Sequence, residues 1–133
     1  YTLNLPPNYT KPKLPGRDKW TAELRSGRHI QGTGKLQLFN GEQCCLGVLC
    51  DLQGRLGICE QYKAVGLYPD NPLFLQLGRD GELPFEVSVT TIRKDTTMEH
   101  EPLKWLTLAN CNDAGLTFLQ IADIIEAVWE NKD

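Results

Sequence analysis

The sequence predicts a single, compact α+β domain with a buried central helix, a small, mainly antiparallel sheet and an amphipathic helix near its C-terminus. Three observations support this prediction. The chain has 133 residues, which is the length of one domain. Apolar residues recur at helical spacing in the middle and at the end of the chain, and short alternating stretches lie between these segments. Hydrophobic residues make up 41% and charged residues 23%, which is the balance of a folded globular chain.

The first sixteen residues are rich in proline, with four prolines at Pro6, Pro7, Pro12 and Pro15. Because proline fixes φ and lacks a backbone N–H, this stretch predicts an extended arm rather than a helix. We therefore expect residues 1–16 to form a proline-rich arm and residues 17–133 to form the single α+β domain.

The first helix is predicted to begin at Arg17 or Asp18 and to end at Ser26. Gly27 follows it at the position where helices commonly end in the left-handed conformation. Its apolar side is predicted to consist of Trp20, Ala22 and Leu24.

A second helix is predicted over residues 42–53, with Gly54 as the residue that ends it. At 100° per residue, one face carries four apolar side chains, Cys45, Val48, Leu49 and Leu52. Since few positions of this segment are polar, we expect the helix to be buried on more than one side and to lie at the centre of the domain.

The remaining elements are predicted from alternation and from turn and cap signals. Short strands are expected at residues 35–39, 56–62, 73–77 and 83–92. A short helix is expected over residues 102–110, followed by a turn at 112–115. Thr117 and Gln120 have the spacing of a capping box, which predicts a final amphipathic helix that continues to about Asn131.

Charge and hydropathy argue against several classes of function. The net charge is −3 and the basic residues are scattered, so nucleic acid is not the expected partner. No apolar stretch reaches the roughly 20 residues that a membrane span requires, and no basic, apolar leader is visible. Five cysteines, an odd number, are typical of a reducing compartment, so we expect a cytoplasmic protein without disulfides.

A thiol nucleophile is one hypothesis for the chemistry. Cysteines at a helix N-terminus resemble the nucleophile of papain-like and NlpC/P60-like hydrolases, where the helix dipole and free amides stabilise a thiolate. The candidates are Cys44 or Cys45 as nucleophile, His29 or His100 as base, and Asp51 or Asp113 as the group that orients the base. The glycine and serine pattern that follows the nucleophile in those families is missing, and Cys45 lies on the apolar stripe.

A ligand pocket formed by polar loop residues is the alternative to a catalytic site. Arg25 and Gln31 precede the first predicted strand, and Asn112 and Asp113 precede the last helix. Binding sites favour loops on a rigid scaffold, so these four residues are the ligand-binding candidates. Cys45 and Cys50 have four residues between them, a spacing that suits zinc ligands in a loop but not on the predicted helix, and Cys59 and Cys111 lack cysteine neighbours. We therefore expect neither a metal nor a cofactor.

Three stretches together resemble a known group of proteins. They are Ala22–Gly27 followed by Gln31-Gly32; Cys44–Leu52; and Asn112–Gly115 with Phe118 and Ile121–Asp123. This set is similar to a group of small uncharacterised proteins encoded by tailed bacteriophages and prophages, over roughly residues 20–126. The resemblance implies an accessory role inside an infected cell and no particular activity.

These observations favour a non-enzymatic accessory or binding protein that acts on a host protein or a small molecule. The second hypothesis is a cysteine-dependent hydrolase or transferase. A DNA-associated regulator is the third, because residues 117–125 resemble the first helix of a helix-turn-helix motif. The oligomeric state is not predicted by any of these patterns.

Overall fold

The computed structural model describes residues 1–34, 38, 40–52, 82–89 and 103–132. Within them the chain is mixed α/β, as the sequence predicts. The elements in chain order are β1 (Thr2–Leu3), β2 (Lys13–Pro15), α1 (Arg17–Arg25), α2 (Cys45–Leu52), β3 (Glu82–Val89), β4 (Leu103–Thr107), α3 (Leu108–Asp113), α4 (Phe118–Val128) and β5 (Glu130–Lys132). None of the helices in the described ranges has the length and apolar character needed to cross a membrane.

The described residues form two small sheets, whereas the sequence predicted one that is mainly antiparallel. The first has the order β1-β3-β4, and both of its pairings are antiparallel. The second joins β2 to β5 in parallel, with Leu14 opposite Asn131. The prediction is therefore not supported as stated, because β2 and β5 pair in parallel and form a sheet of their own.

Helix α1 follows the predicted bounds closely. It spans Arg17–Arg25, Ser26 is its C-cap, and Gly27 has a φ of 77°, the left-handed conformation that favours glycine. Its buried face differs in one residue from the prediction: Thr21 is buried and Ala22 is exposed. The reason is helical spacing, since Thr21 lies three residues before the buried Leu24 and Ala22 only two.

Helix α2 begins three residues later than predicted, because the segment before it is extended. The Gln43 N–H donates to the carbonyl of Ile30 at 2.9 Å, and the Gly32 N–H donates to the carbonyl of Gln43 at 2.8 Å. Residues 43–49 are buried, which agrees with a central position, whereas Asp51 and Leu52 at the end of the helix are exposed. The prediction that Leu52 shares the buried face was wrong.

The prediction of a short helix over residues 102–110 was also wrong for its first half. Leu103–Thr107 forms β4, which pairs with β3, and α3 begins only at Leu108. Thr107 is extended, and its hydroxyl accepts from the Asn110 N–H at 3.1 Å, so it caps the helix that follows. Pairing with a distant strand decides the conformation here, and local sequence does not encode it.

Helix α4 has the predicted capping box. The Thr117 hydroxyl accepts from the Gln120 N–H at 3.2 Å, and the Gln120 side chain accepts from the Thr117 N–H at 3.0 Å. The helix is amphipathic and ends at Val128, earlier than predicted, because Trp129 is extended. The Glu130 N–H then donates to the Pro12 carbonyl at 2.9 Å, which leads the chain into β5.

The last carbonyls of α4 accept hydrogen bonds from the N-terminal part of the chain. The Tyr9 hydroxyl donates to the carbonyl of Val128 at 2.7 Å, and the Lys11 ammonium donates to the carbonyl of Glu126 at 3.0 Å. Side chains therefore satisfy groups that a helix end leaves unpaired. How the chain divides into an arm and a domain stays a prediction.

Several predicted elements lie outside the described residues. They are the strands at 56–62 and 73–77, the last part of the strand at 83–92, and the strand at 35–39 apart from Leu38. The described elements share one core, to which α1, α2, α3, α4 and β3 all contribute. This core includes Cys44 and Cys45, where the loop after α1 meets α2, and Phe118 at the start of α4.

Candidate functional site

Asn112 is the centre of a buried hydrogen-bond network that joins three segments of the chain. Its side chain is fully buried in α3. The carbonyl oxygen accepts from Gln31 Nε2 at 2.9 Å and from the Cys45 N–H at 3.2 Å, and the amide nitrogen donates to the Gly32 carbonyl at 2.8 Å. One side chain thus connects the loop after α1, the first residue of α2, and α3.

Gln31 extends this network to the start of α4. Its Nε2 donates to the carbonyl of Leu116 at 2.7 Å, and its Oε1 accepts from the N–H of Phe118 at 3.1 Å. Phe118 is the first residue of α4, so Gln31 satisfies one of the amides that a helix N-terminus leaves unpaired. We call Gln31 and Asn112 together the amide hub.

The other two ligand-binding candidates lie apart from the centre of the hub. Asp113 is exposed, and its carboxylate accepts from the Gly34 N–H at 2.9 Å, which fixes the loop from outside. Arg25 forms ion pairs with Asp123, at 2.7 Å, and with Glu126, so it joins α1 to α4. The structure therefore brings Gln31, Asn112 and Asp113 together and places Arg25 on a different contact.

The thiol candidates lie in the core beside the hub. Cys44, Cys45 and Cys111 are buried and are not joined in disulfides. Burial raises the pKa of the Cys44 thiol to about 11 and that of Cys111 to about 11, and it also raises the pKa of Cys45. A buried thiol with a raised pKa is the setting of an inert structural cysteine, because the thiolate is the nucleophile.

His29, the candidate base, forms hydrogen bonds through both ring nitrogens to groups other than a thiol. Nδ1 lies 2.6 Å from Gln43 Oε1, and Nε2 lies 2.8 Å from Glu23 Oε1. Asp51, the candidate orienting residue, is exposed near the end of α2. The alternative base His100 lies outside the described residues. The structure thus does not bring His29 and Asp51 together with the cysteines.

Glu23 and Gln43 are two residues of this region that the sequence did not single out. Arg28 donates to the Glu23 carboxylate from Nη2 at 2.5 Å and from Nε at 3.1 Å. A signal for Glu23 was present, since a left-handed Gly27 turns the chain back on the last turn of α1. No local pattern indicated Gln43.

The pH dependence of stability should reveal how much the hydrogen-bonded Glu23 carboxylate contributes to the fold. Hydrogen bonds from Arg28, and then from His29, lower the pKa of Glu23 to about 2 from an ordinary value of 4.5. A carboxyl whose folded-state pKa is lowered stabilises the fold above its unfolded pKa and loses that contribution as the pH falls. We expect Glu23→Gln to flatten the decrease in melting temperature between about pH 4.5 and pH 2, measured by circular dichroism.

Asp18→Asn is the control, because Asp18 is an exposed acid of the same helix. If melting temperature fell with pH between 4.5 and 2 as steeply in the Glu23 variant as in wild type, the prediction would be contradicted.

Among the described residues, no group of three or more histidine, cysteine or acidic side chains could hold a metal ion.

The described geometry defines a small mixed α/β domain whose helices meet at a buried amide hub. The family model of a domain of unknown function, DUF8296, matches residues 13–129, and the chain belongs to this family. Comparisons with curated proteins and with solved structures gave no significant match. A family of unknown function agrees with the expectation that the chain belongs to an uncharacterised group. A phage or prophage origin stays a prediction.

Proposed function

We propose that the domain is a non-enzymatic binding module whose partner is a protein. The observation that supports this is the exposure of two apolar side chains in segments that the amide hub joins. Ile30 is 68% exposed and Leu119 is 58% exposed, the highest values for large hydrophobic residues in the described part of the chain. Single exposed apolar residues are common, but apolar side chains on rigid supports are typical anchors of protein interfaces.

One hydrogen bond joins the two segments that carry these side chains. Gln31 Oε1 accepts from the Phe118 N–H, so Ile30 and Leu119 are each next in sequence to a residue of that bond. Partly buried hydrogen bonds from Gln31 Nε2 to Asn112 and to the Leu116 carbonyl hold this junction in place. A surface that is ordered before binding loses less conformational entropy on association, which favours affinity.

A protein partner is favoured over a small polar ligand by the way the polar candidates are used. Gln31 and Asn112 direct their side-chain amides to backbone groups and to each other, and Asp113 accepts from a backbone amide. Within the described residues, every buried side-chain nitrogen and oxygen has a hydrogen-bond partner. The resemblance to phage and prophage proteins supports a host protein, met in the cytoplasm, as this partner.

The test is capture from bacterial lysate with three matched baits. Wild type and Leu5→Ser, a control for an exposed leucine in the N-terminal part, should retain the same protein. Ile30→Ser combined with Leu119→Ser should lose it, and a titration with that purified protein should show affinity about tenfold weaker or worse. Equal retention by all three baits would overturn the proposal.

The competing hypothesis is a cysteine-dependent hydrolase or transferase with Cys44 or Cys45 as nucleophile. Cys44 directly precedes α2, and that position is the one feature in its favour. Native protein treated with iodoacetamide at pH 7.5 and analysed by peptide mass spectrometry separates the two hypotheses. We expect Cys44 and Cys45 to react about a hundredfold more slowly than in urea. Labelling of either residue in the native protein at pH 7.5 as fast as in urea would support the enzyme.

A further inference from the structure

Glu23, His29 and Gln43 form a chain of hydrogen bonds at the base of the loop between α1 and α2. The imidazole lies between two oxygens, with Nδ1 2.6 Å from Gln43 Oε1 and Nε2 2.8 Å from Glu23 Oε1. The His29 side chain is 12% exposed and that of Glu23 is 17% exposed. We call these three residues the His29 latch.

Gln43 Oε1 and Glu23 Oε1 are both acceptors, so each needs an N–H donor from the ring. A neutral imidazole carries one N–H and an imidazolium carries two, so only the protonated ring can donate to both neighbours. The groups that face the ring in the described residues are the Glu23 carboxylate of α1, with the Arg28 guanidinium bound to it, and the Gln43 amide. Since the pKa of Glu23 is lowered to about 2, its carboxylate remains an acceptor at every physiological pH.

The latch holds the segment that carries the amide hub. Gln43 accepts from His29 through its side chain, and its backbone pairs with the loop: its N–H donates to Ile30 and its carbonyl accepts from Gly32. A weaker contact between His29 and either neighbour therefore loosens the link between α1 and the residues that lead into α2.

We propose that His29 is a pH-sensitive latch that ties the loop of residues 27–34 to α1 and to Gln43, complete when the ring is protonated and open at one end when the ring is neutral. Histidine is the side chain whose charge ordinarily changes between pH 5 and 8. The latch is therefore complete when the pH is low enough to protonate the ring, and it is open at one end when the ring is neutral. The proposal does not depend on the identity of a binding partner.

Amide hydrogen exchange of the native protein, followed by NMR, tests the latch. The reporters are the N–H groups of Gly32 and Gln43, which are hydrogen-bonded across the loop, and the Ile121 N–H of α4 is the reference. After correction for intrinsic exchange, we expect protection of the two reporters to fall about tenfold relative to the reference between pH 5.5 and pH 8. Equal ratios at the two pH values would overturn the proposal.

The ring itself gives a second readout that needs no variant. Nitrogen-15 shifts of His29 should show two N–H groups at pH 5.5 and one at pH 8. A ring with a single N–H at both values means that the Gln43 amide donates to Nδ1, and this result would also overturn the proposal. His29→Gln should abolish the pH dependence of protection, whereas the matched control His100→Gln, at the other histidine of the chain, should keep it.

Discussion

Replacing Asn112 with alanine is expected to lower the free energy of unfolding by about 3 kcal/mol, because the substitution leaves buried partners unsatisfied. The side chain is fully buried; it accepts from Gln31 and from the Cys45 N–H, and it donates to the Gly32 carbonyl. Each of these groups was desolvated on folding, and alanine offers none of them a hydrogen bond. Urea unfolding followed by far-ultraviolet circular dichroism measures the loss.

Asn110→Ala is the matched control, since Asn110 is an exposed asparagine of the same helix. Its expected effect is within about 0.5 kcal/mol of zero, as for most surface substitutions. Asn112→Asp adds a second comparison, because it keeps an acceptor but loses the donor to Gly32 and buries a charge. A loss below about 1 kcal/mol for Asn112→Ala would mean that the amide hub does not organise the fold.

Replacing Trp20 with alanine is expected to cost about 4 kcal/mol of unfolding free energy, within the range for large aromatic residues of a protein core. Trp20 is 1% exposed, and its indole N–H donates to the Cys45 carbonyl at 3.0 Å, so it joins α1 to α2. Trp20→Phe keeps most of the apolar contact and removes the donor, and its expected cost is about 1–2 kcal/mol. Urea unfolding measures both variants.

The difference between the two Trp20 variants separates packing from hydrogen bonding. Lys19→Ala, at an exposed neighbouring position of α1, is the control and should leave the urea midpoint nearly unchanged. If Trp20→Phe were as damaging as Trp20→Ala, the bond to Cys45 would contribute more than the buried area. If both variants were as stable as the control, the assignment of Trp20 to the core would be wrong.

Local signals in the sequence were sufficient wherever a structural feature depends on neighbouring residues. The bounds of α1 and the capping box of Thr117 and Gln120 could be predicted because propensity, caps and turn residues lie close together in the chain. The strands Leu103–Thr107 and Glu130–Lys132 could not be predicted, because each forms through pairing with a distant strand. The sequence analysis predicted helix for most of both segments, and the structure shows strands.

The candidate site shows the same limit. Gln31 and Asn112 were chosen separately, as polar residues of two loops, and the structure brings them into contact across 81 positions of sequence. The direction of their side chains towards backbone groups could not be predicted, since it depends on how three segments pack. The burial of Cys45 agrees with its place on an apolar stripe, whereas the link between His29 and Gln43 had no local signal.

The pairing of β2 with β5 has a consequence for a fragment of the chain that is cut at the limits of the family match. The family match stops at residue 129, one position before β5 begins, and starts at residue 13, after the donors Tyr9 and Lys11. A recombinant fragment cut at those limits would contain the four described helices and still lose one strand of the parallel pair. The carbonyls of Glu126 and Val128 would then lose their Lys11 and Tyr9 donors, so contacts that close the end of α4 lie outside the family match on both sides.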